Sequence, residues 1–494
     1  MSALAVKQHP LLRAWPITGP LGARDTLPLA LWDAHAIAAA TGGTASGDFQ
    51  VSGVETDSRD VKPGDLFVAL KGEAMDGHRF LPMAFEKGAA AAIVDRPVDY
   101  PHILVEDTTA ALHALAAAAR DRSAAVRIGV TGSVGKTGVK EAIFTALDRA
   151  SRGAAHRSVR SYNNHVGVPL SLARMPARAR FGVFEMGMNH AGEIAPLAGH
   201  VRPHVAIITT IAPAHIENLG SIEAIADEKS QIFTGLMPGG TAIIPADSEH
   251  TPRMIGHAQR LGVKTVTFGR SADADVRLLD AIPTQSGGSL VTAELGDQRL
   301  CYTIAEPGEH WIANSLAVMA AVRAAGGDMA SAGLALAEMG GLKGRGARHQ
   351  IAVTGGKALL IDESYNANPA SMRATLRSLG QTPGHRRIAV LGTMGELGDM
   401  ATRFHRQLAE PLVDANVDHA ILVGDGMREL ASELGKAGPG SLGFGPSFTH
   451  CQDTAEAVIA LEDYGLTNGD VVLVKGSNFM GLGKLVTHFT SAPE

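Results

Sequence analysis

Cysteine is almost missing from this chain, which holds two in 494 residues, Cys301 and Cys451. Cysteines so isolated build neither a disulfide framework nor a thiolate metal centre. A surplus of positive charge is missing too. Lys and Arg number 44 against 50 Asp and Glu, a formal net charge of −6. That balance argues against a nucleic-acid-binding surface and predicts no nucleic-acid partner. Long apolar runs are also lacking. The alanine-rich run 110–119 carries His113 and is too short to cross a bilayer, so no membrane insertion is expected. Pro10, Pro16 and Pro20 break up the first thirty residues, which lack the apolar core of a secretory leader. These absences predict a cytoplasmic protein, with residues 1–30 as a loosely structured arm.

Hydrophobic residues make up 45% and charged residues 19%, the balance of an ordinary globular protein. A chain this long exceeds one core, and at roughly 150 residues per domain it should form three domains. Residues 31–106 alternate short apolar runs with turn signals and read as a small α/β domain; with the arm, the first domain is 1–106. A longer α/β segment, 107–343, has strand candidates at 128–130, 182–184, 205–209 and 241–244. Helical patterns between several of them favour a mainly parallel sheet. A helix is expected over 314–325. The glycine-rich stretch 340–346 marks a joint, and beyond it 344–494 alternates strands (358–361, 388–391, 420–423, 471–474) with helices in the doubly wound, Rossmann-like manner. Gly424-Asp425-Gly426 and Gly481-Leu482-Gly483 are incomplete as dinucleotide fingerprints and read as structural turns.

The most informative stretch is Thr131-Gly132-Ser133-Val134-Gly135-Lys136-Thr137, between an apolar strand-like run and a helical segment over 139–147. A glycine-rich turn there lets backbone N–H groups wrap a polyphosphate at the positive end of a helix dipole. Lys136 supplies a point charge for the outer phosphates and Thr137 a hydroxyl for Mg²⁺, which predicts ATP binding. Val130 stands where the longer pattern has a further glycine, so this is the shortened form.

Glu185 ends an apolar strand, where a carboxylate either helps hold Mg²⁺ or is simply solvated. His215 follows another strand and is either a ligand or a structural histidine. His200 and His204 are separated by Pro203 and are not read as ligands. Ser221 is a plausible N-cap for a helix over 221–233 that carries Lys229, which nothing local distinguishes from a surface lysine.

Together these pieces resemble the Mur ligase family, ATP-dependent enzymes that add amino acids to a peptidoglycan precursor. The resemblance covers nearly the whole chain after Leu31. Thr56-Asp57-Ser58-Arg59, the stretch 64–72 with Lys71, and Asp76-Gly77-His78 resemble the family's uridine-nucleotide-binding domain. Asn163-Asn164 resembles the loop that approaches the sugar–peptide substrate. By the same resemblance Glu185 and His215 fall among the ligands of the Mg²⁺ ions, and Lys229 where many members carry a carbamylated lysine. Gly308 to Asn314 is similar to the adenine-contacting helix start, with Asn314 on the base. Arg345 either closes over the phosphates or is a surface charge. Glu363 falls at the ribose position, and Asn366 belongs to Tyr365-Asn366-Ala367-Asn368-Pro369, a string similar to that of the D-alanyl-D-alanine-adding branch. The resemblance thus implies ATP and Mg²⁺, the partners UDP-N-acetylmuramoyl-tripeptide and D-alanyl-D-alanine, and a monomer.

Four positions depart from the family pattern. Gly138 replaces a usual Ser or Thr, Gln231 a common Glu, Trp311 a usual Asn and Glu363 an Asp. Three alternatives stand beside this reading. The family's third-residue-adding enzyme typically carries a different string at 365–369 and an Asp-Asn-Pro-Arg element that this chain lacks. A folate–polyglutamate synthetase would share the shortened phosphate loop but lack the uridine-nucleotide domain. A non-catalytic ATP-binding module would have no use for Thr137, Glu185, His215 and Lys229 together.

Overall fold

A computed structural model describes residues 30–72, 75–213, 216–284, 287–436 and 445–491. Most of the expected arm and His215 lie outside the described residues. Beside a two-stranded antiparallel pair, Trp32–Asp33 with Gln50–Val51, three larger sheets follow one another along the described residues.

The first is five-stranded, in the order Thr44–Ala45, His102–Leu104, Ala91–Val94, Asp65–Val68, Gly53–Glu55, parallel except for its first pair. The alanine-rich run becomes the helix Thr108–Asp121. Asp107 starts it by accepting from Thr109 N and Ala110 N, an N-cap that satisfies otherwise orphaned donors.

The central sheet has nine strands. Seven are parallel, in the order Val276–Pro283, Lys264–Gly269, Thr241–Pro245, Val205–Ile208, Val126–Thr131, Phe181–Glu185, Ala155–Arg157. Ser289–Leu295 and Gln298–Ile304 extend one edge antiparallel, a meander the strand candidates above did not include. Side chains alternate across the sheet: Val183 packs into the core on one face and Phe184 into the core on the other. A sheet buried on both faces needs helices on both, and each fully buried aliphatic or aromatic side chain contributes about 1.5–3 kcal/mol.

The C-terminal sheet runs Ala347–Val353, Gly356–Glu363, Val471–Lys475, Arg387–Gly392, His419–Val423, Ser447–Cys451, with only the first pair antiparallel. The four strands read from sequence are its interior. Its two edge strands carry weaker apolar patterns and were not anticipated. Three helix bounds shift. The helix expected over 314–325 is Glu309–Ala324, and that over 139–147 is Lys136–Ser151. The helix expected over 221–233 stops at Ser230 and continues as a 3₁₀ turn, Gln231–Gly235, while Ser221 is its N-cap as expected.

The glycine-rich joint is stitched to the C-terminal sheet. Gly344 N donates to Asp362 Oδ2 (2.8 Å) and Gly346 N to the Asp362 carbonyl (2.9 Å). Gly344 and Gly346 both have positive φ (74° and 92°), which glycine alone adopts without strain.

Candidate active site

Strand Val126–Thr131 enters helix Lys136–Ser151 through a turn whose shape depends on Gly132 (φ 148°) and Gly135 (φ 87°). A Cβ at Gly132 would also collide with the Thr209 hydroxyl. The segment after strand Val205–Ile208 holds the turn: Thr209 Oγ1 donates to Val134 O (2.5 Å), Ser133 N to Thr210 O (2.8 Å) and Ser133 Oγ to Ala212 O (2.9 Å). Gly135 gives the helix no side-chain cap. Its first-turn N–H groups are therefore left for an external acceptor, where the dipole favours an anion. Lys136 Nζ folds back onto the Gly132 carbonyl (2.6 Å). Burial lowers its pKa, nearby Glu185 works against that, and Arg345 adds to the lowering.

Glu185 is fully buried, so it is not a solvated strand end. Its Oε2 accepts from Thr137 Oγ1 (2.8 Å) and its Oε1 from Asn163 Nδ2 (2.9 Å). Lys140 Nζ, also fully buried, stands 3.9 Å from Oε2 and donates to the carbonyls of Ser158 (3.2 Å) and Arg160 (2.6 Å). Sequence reasoning passed over Lys140. Its signal was a lysine on the otherwise apolar face of the helix that follows the phosphate turn.

Lys229 is 1% exposed, which overturns the surface reading that its local sequence suggested. Its pKa is pushed well down, first by desolvation and then by the Lys136 ammonium, with Glu228 opposing. Glu228 itself turns to cap a neighbouring segment, accepting from Gly192 N and Ile194 N (both 2.9 Å).

Across from the phosphate turn stand groups from the joint and the C-terminal sheet. Arg345 lies over the Tyr365 ring (4.1 Å) and donates to Ser161 Oγ (3.3 Å), so it bridges two domains rather than serving as a free surface charge. Glu363 pairs with Lys475 Nζ (3.4 Å), which also donates to the Asn366 carbonyl (2.9 Å). Burial lowers the pKa of Lys475, against the pull of Glu363. Asn368 caps helix Pro369–Gln381 in a reciprocal capping box with Ser371, so the end of the Tyr365–Pro369 string is explained by helix initiation.

The phosphate turn, Glu185 and the groups of the joint and C-terminal sheet face one cavity of about 780 Å³ between the central and C-terminal domains, which Thr131, Gly132, Thr137 and Lys229 do not line. Of the expected residues it brings together Ser133 to Lys136, Gly138, Asn163, Asn164, Glu185, Asn314, Arg345, Glu363 and Asn366. Its far wall, Gly395 to Leu397 and Ser477 to Phe479, follows the carboxyl ends of two adjacent parallel strands. That is the position where such sheets hold ligands, and the sequence reading missed it.

The N-terminal candidates do not line this cavity. Asp57 and Arg59 form an exposed pair (2.6 Å), and Thr56 N donates to Glu55 Oε1 (2.8 Å), while Ser58 is buried. Lys71, Asp76 and His78 gather around two residues the sequence reading omitted, Asp95 and Arg96. Lys71 pairs with Asp95 (2.6 Å), His78 lies between Asp76 and Asp95 (2.7 and 3.2 Å), and Arg96 reaches Asp76 (2.7 Å).

Three successive stretches match known families: residues 50–126 the Mur ligase family catalytic domain, 130–322 the Mur ligase middle domain, and 347–478 the Mur ligase, glutamate ligase domain. The chain is 36% identical over 452 residues to the UDP-N-acetylmuramoyl-tripeptide–D-alanyl-D-alanine ligase of Synechocystis, covering 90% of this chain and 92% of that one. Against the same ligase of Escherichia coli it is 35% identical over 391 residues, 78% and 84% of the two chains. A crystal structure of MurF from Acinetobacter baumannii superposes with a TM-score of 0.80 at 31% identity, over 94% of this chain and all of that one. MurF of Thermotoga maritima in complex with ADP gives 0.71 at 26% identity, over 89% and 97%.

Proposed function

The chain belongs to the Mur ligase family, and from that premise we propose that it joins D-alanyl-D-alanine to the terminal carboxylate of UDP-N-acetylmuramoyl-tripeptide at the expense of ATP. The observation that carries this is the single cavity in which the phosphate turn, Glu185 and Asn314 face Arg345, Glu363 and Lys475 across two domains. A ligase that couples a nucleotide to two further substrates needs such a shared chamber.

The tripeptide carboxylate attacks the γ-phosphorus of ATP, the bond to the β-phosphate oxygen breaks, and an acyl phosphate and ADP result. The amine of the dipeptide then attacks the acyl carbon, loses a proton and expels inorganic phosphate. Two anions meet in the first step, so neutralising and aligning charge is the main task. The first-turn N–H groups after Gly135 and the Lys136 ammonium serve the phosphates, and Arg345 adds a cation from the joint.

The Thr137 hydroxyl and Glu185 carboxylate are hard oxygens side by side at the phosphate turn, the donor chemistry that would hold Mg²⁺. Bound there, Mg²⁺ supplies charge neutralisation and polarises phosphoryl oxygens. We assign His215 and a carbamylated Lys229 to a second ion on their sequence positions; desolvation of the Lys229 amine supports the neutral form that takes up CO₂. Asn314 takes the adenine, and Glu363 and Asn366 the nucleoside end. Asn163 and Asn164 approach the peptide. Thr56 to Arg59, Lys71, Asp76 and His78 take the uridine nucleotide in the first domain. The enzyme works in the cytoplasm as a monomer with domains at 1–106, 107–343 and 344–494, and among the described residues no helix is long and apolar enough to cross a membrane.

The test is phosphate release with Mg²⁺-ATP and UDP-N-acetylmuramoyl-tripeptide, with and without D-alanyl-D-alanine. Dipeptide-dependent release with the matching mass gain in the nucleotide product is the expected result. Dipeptide-independent release would assign a different acceptor.

A further inference from the structure

Gly138 is the third residue of helix Lys136–Ser151, and its φ is not positive. The backbone freedom that explains Gly132 and Gly135 is not needed there, and glycine inside a helix destabilises it relative to alanine. What Gly138 provides is room. A Cβ at this position would lie 2.7 Å from Trp311 Cη2 and 3.0 Å from Trp311 Cζ2, so the outer ring of the indole rests against bare helix backbone.

Trp311 is 8% exposed and stands in the first turn of helix Glu309–Ala324. Asn314 follows three residues later on the same side of that helix. Its Oδ1 lies 2.8 Å from where a Cβ at Gly135 would be. Trp311 and Asn314 both line the cavity beside Ser133 and Lys136. One helix turn therefore delivers an aromatic ring and an amide, side by side, to the edge of the phosphate turn.

An indole brings no charge to phosphate, only a single N–H donor. An aromatic face next to a side-chain amide is the combination that holds a heteroaromatic base, the ring by stacking and the amide through its donors and acceptor. We propose that Trp311 is a binding and specificity residue for the purine base of ATP, and that the missing side chain at position 138 is what admits it to the cavity. The proposal rests on ATP being the phosphoryl donor.

The test measures KM for ATP, kcat, and inhibition by tripolyphosphate, which offers the phosphate turn its charge without a base. Trp311→Ala should raise KM for ATP by roughly one to two orders of magnitude, the range of a base–aromatic stack, with kcat and tripolyphosphate inhibition little changed. Trp311→Phe keeps a ring, drops the outer indole edge, and should recover most of the ATP affinity with a melting temperature between those of Trp311→Ala and the parent. Gly138→Ala should raise KM for ATP in the parent chain and be nearly neutral in Trp311→Phe. An unchanged KM in Trp311→Ala, or an equal loss of tripolyphosphate binding, overturns the base role. Equal effects of Gly138→Ala in both backgrounds overturn the steric relationship. If the parent chain shows no ATP-dependent turnover, the ligase reading fails instead, and the same comparison of variants is made on the thermal shift produced by ATP.

Discussion

Thr137 Oγ1 donates to Glu185 Oε2 at 2.8 Å, tying the phosphate turn to the end of the neighbouring parallel strand. A glutamine at 185 still accepts this hydrogen bond through its one oxygen, but it turns its NH₂ towards the Asn163 amide and removes the negative charge. Glu185→Gln should therefore lower the melting temperature somewhat and need about 10–100 times more Mg²⁺ for half-maximal phosphate release, taking ligand-shell variants as the scale. An unchanged Mg²⁺ titration would remove Glu185 from the metal site.

Lys229 leads to a prediction with a definite sign. Its folded pKa lies well below the ordinary 10.5, so across the interval between the two the unfolded chain binds the extra proton. Stability contributed by this site therefore rises with pH through that interval. Lys229→Met should flatten the slope and raise the melting temperature at neutral pH, since no buried amine remains to be deprotonated on folding. In the parent chain equilibrated with ¹³CO₂, carbon NMR should show a carbamate signal that the methionine variant lacks. A signal that survives the substitution would place the carbamate elsewhere.

Much of this site was legible because its chemistry is local in sequence. The phosphate turn announces itself through Gly132, Gly135, Lys136 and Thr137, and interior parallel strands such as Val205–Ile208 are continuous apolar runs. The illegible parts depend on long-range packing. Lys229 reads as a surface residue from its neighbours and is buried by the tertiary fold. Gly138 and Trp311 register in sequence as two unrelated departures, 173 positions apart, and only packing of the two helices shows that one makes space for the other. The edge strands Ala347–Val353 and Ser447–Cys451 alternate burial, a weaker signal than the buried interior.

Glu306 predicts a second pH effect, of opposite sign. Burial, against the pull of nearby Arg348 and with a further push from Glu363, raises its carboxyl to about 7. Between the ordinary 4.5 and 7 the folded chain holds the proton and the unfolded chain does not, so stability from this group is complete below 4.5 and lost as pH rises through 7. The loss is of the order of 3 kcal/mol. Arg348 and Glu363 belong to the C-terminal sheet, so the loosening should appear at the joint. Thermal melts from pH 4.5 to 7.5 on Glu306→Gln should lack this component; a slope identical to the parent's would assign it to another group.

Arg160 binds Asp60 of the first domain through both guanidinium ends (2.7 and 3.0 Å), yet its side chain is 62% exposed and its φ is +53°. An exposed ion pair contributes at most about 1 kcal/mol, and a non-glycine residue in the left-handed region costs a similar amount. The two nearly cancel, so stability does not explain the arrangement. Position does. The segment around Arg160 touches every domain: the Arg160 carbonyl accepts from Lys140, Ser161 accepts from Arg345 at the joint, and Asn163 donates to Glu185. The Asp60 pair fixes this segment to the domain assigned to the uridine nucleotide. Arg160→Gly removes both the pair and the strain, and its melting temperature should stay within about 2–4 °C of the parent. Its kcat/KM for the uridine-linked substrate should fall while KM for ATP holds, because the Asn163 side of the cavity loses its anchor and the phosphate turn keeps its own. If kcat/KM falls, KM for ATP rises and the melting temperature drops together, Arg160 is structural and the Asp60 pair has no separate part in placing the uridine-linked substrate.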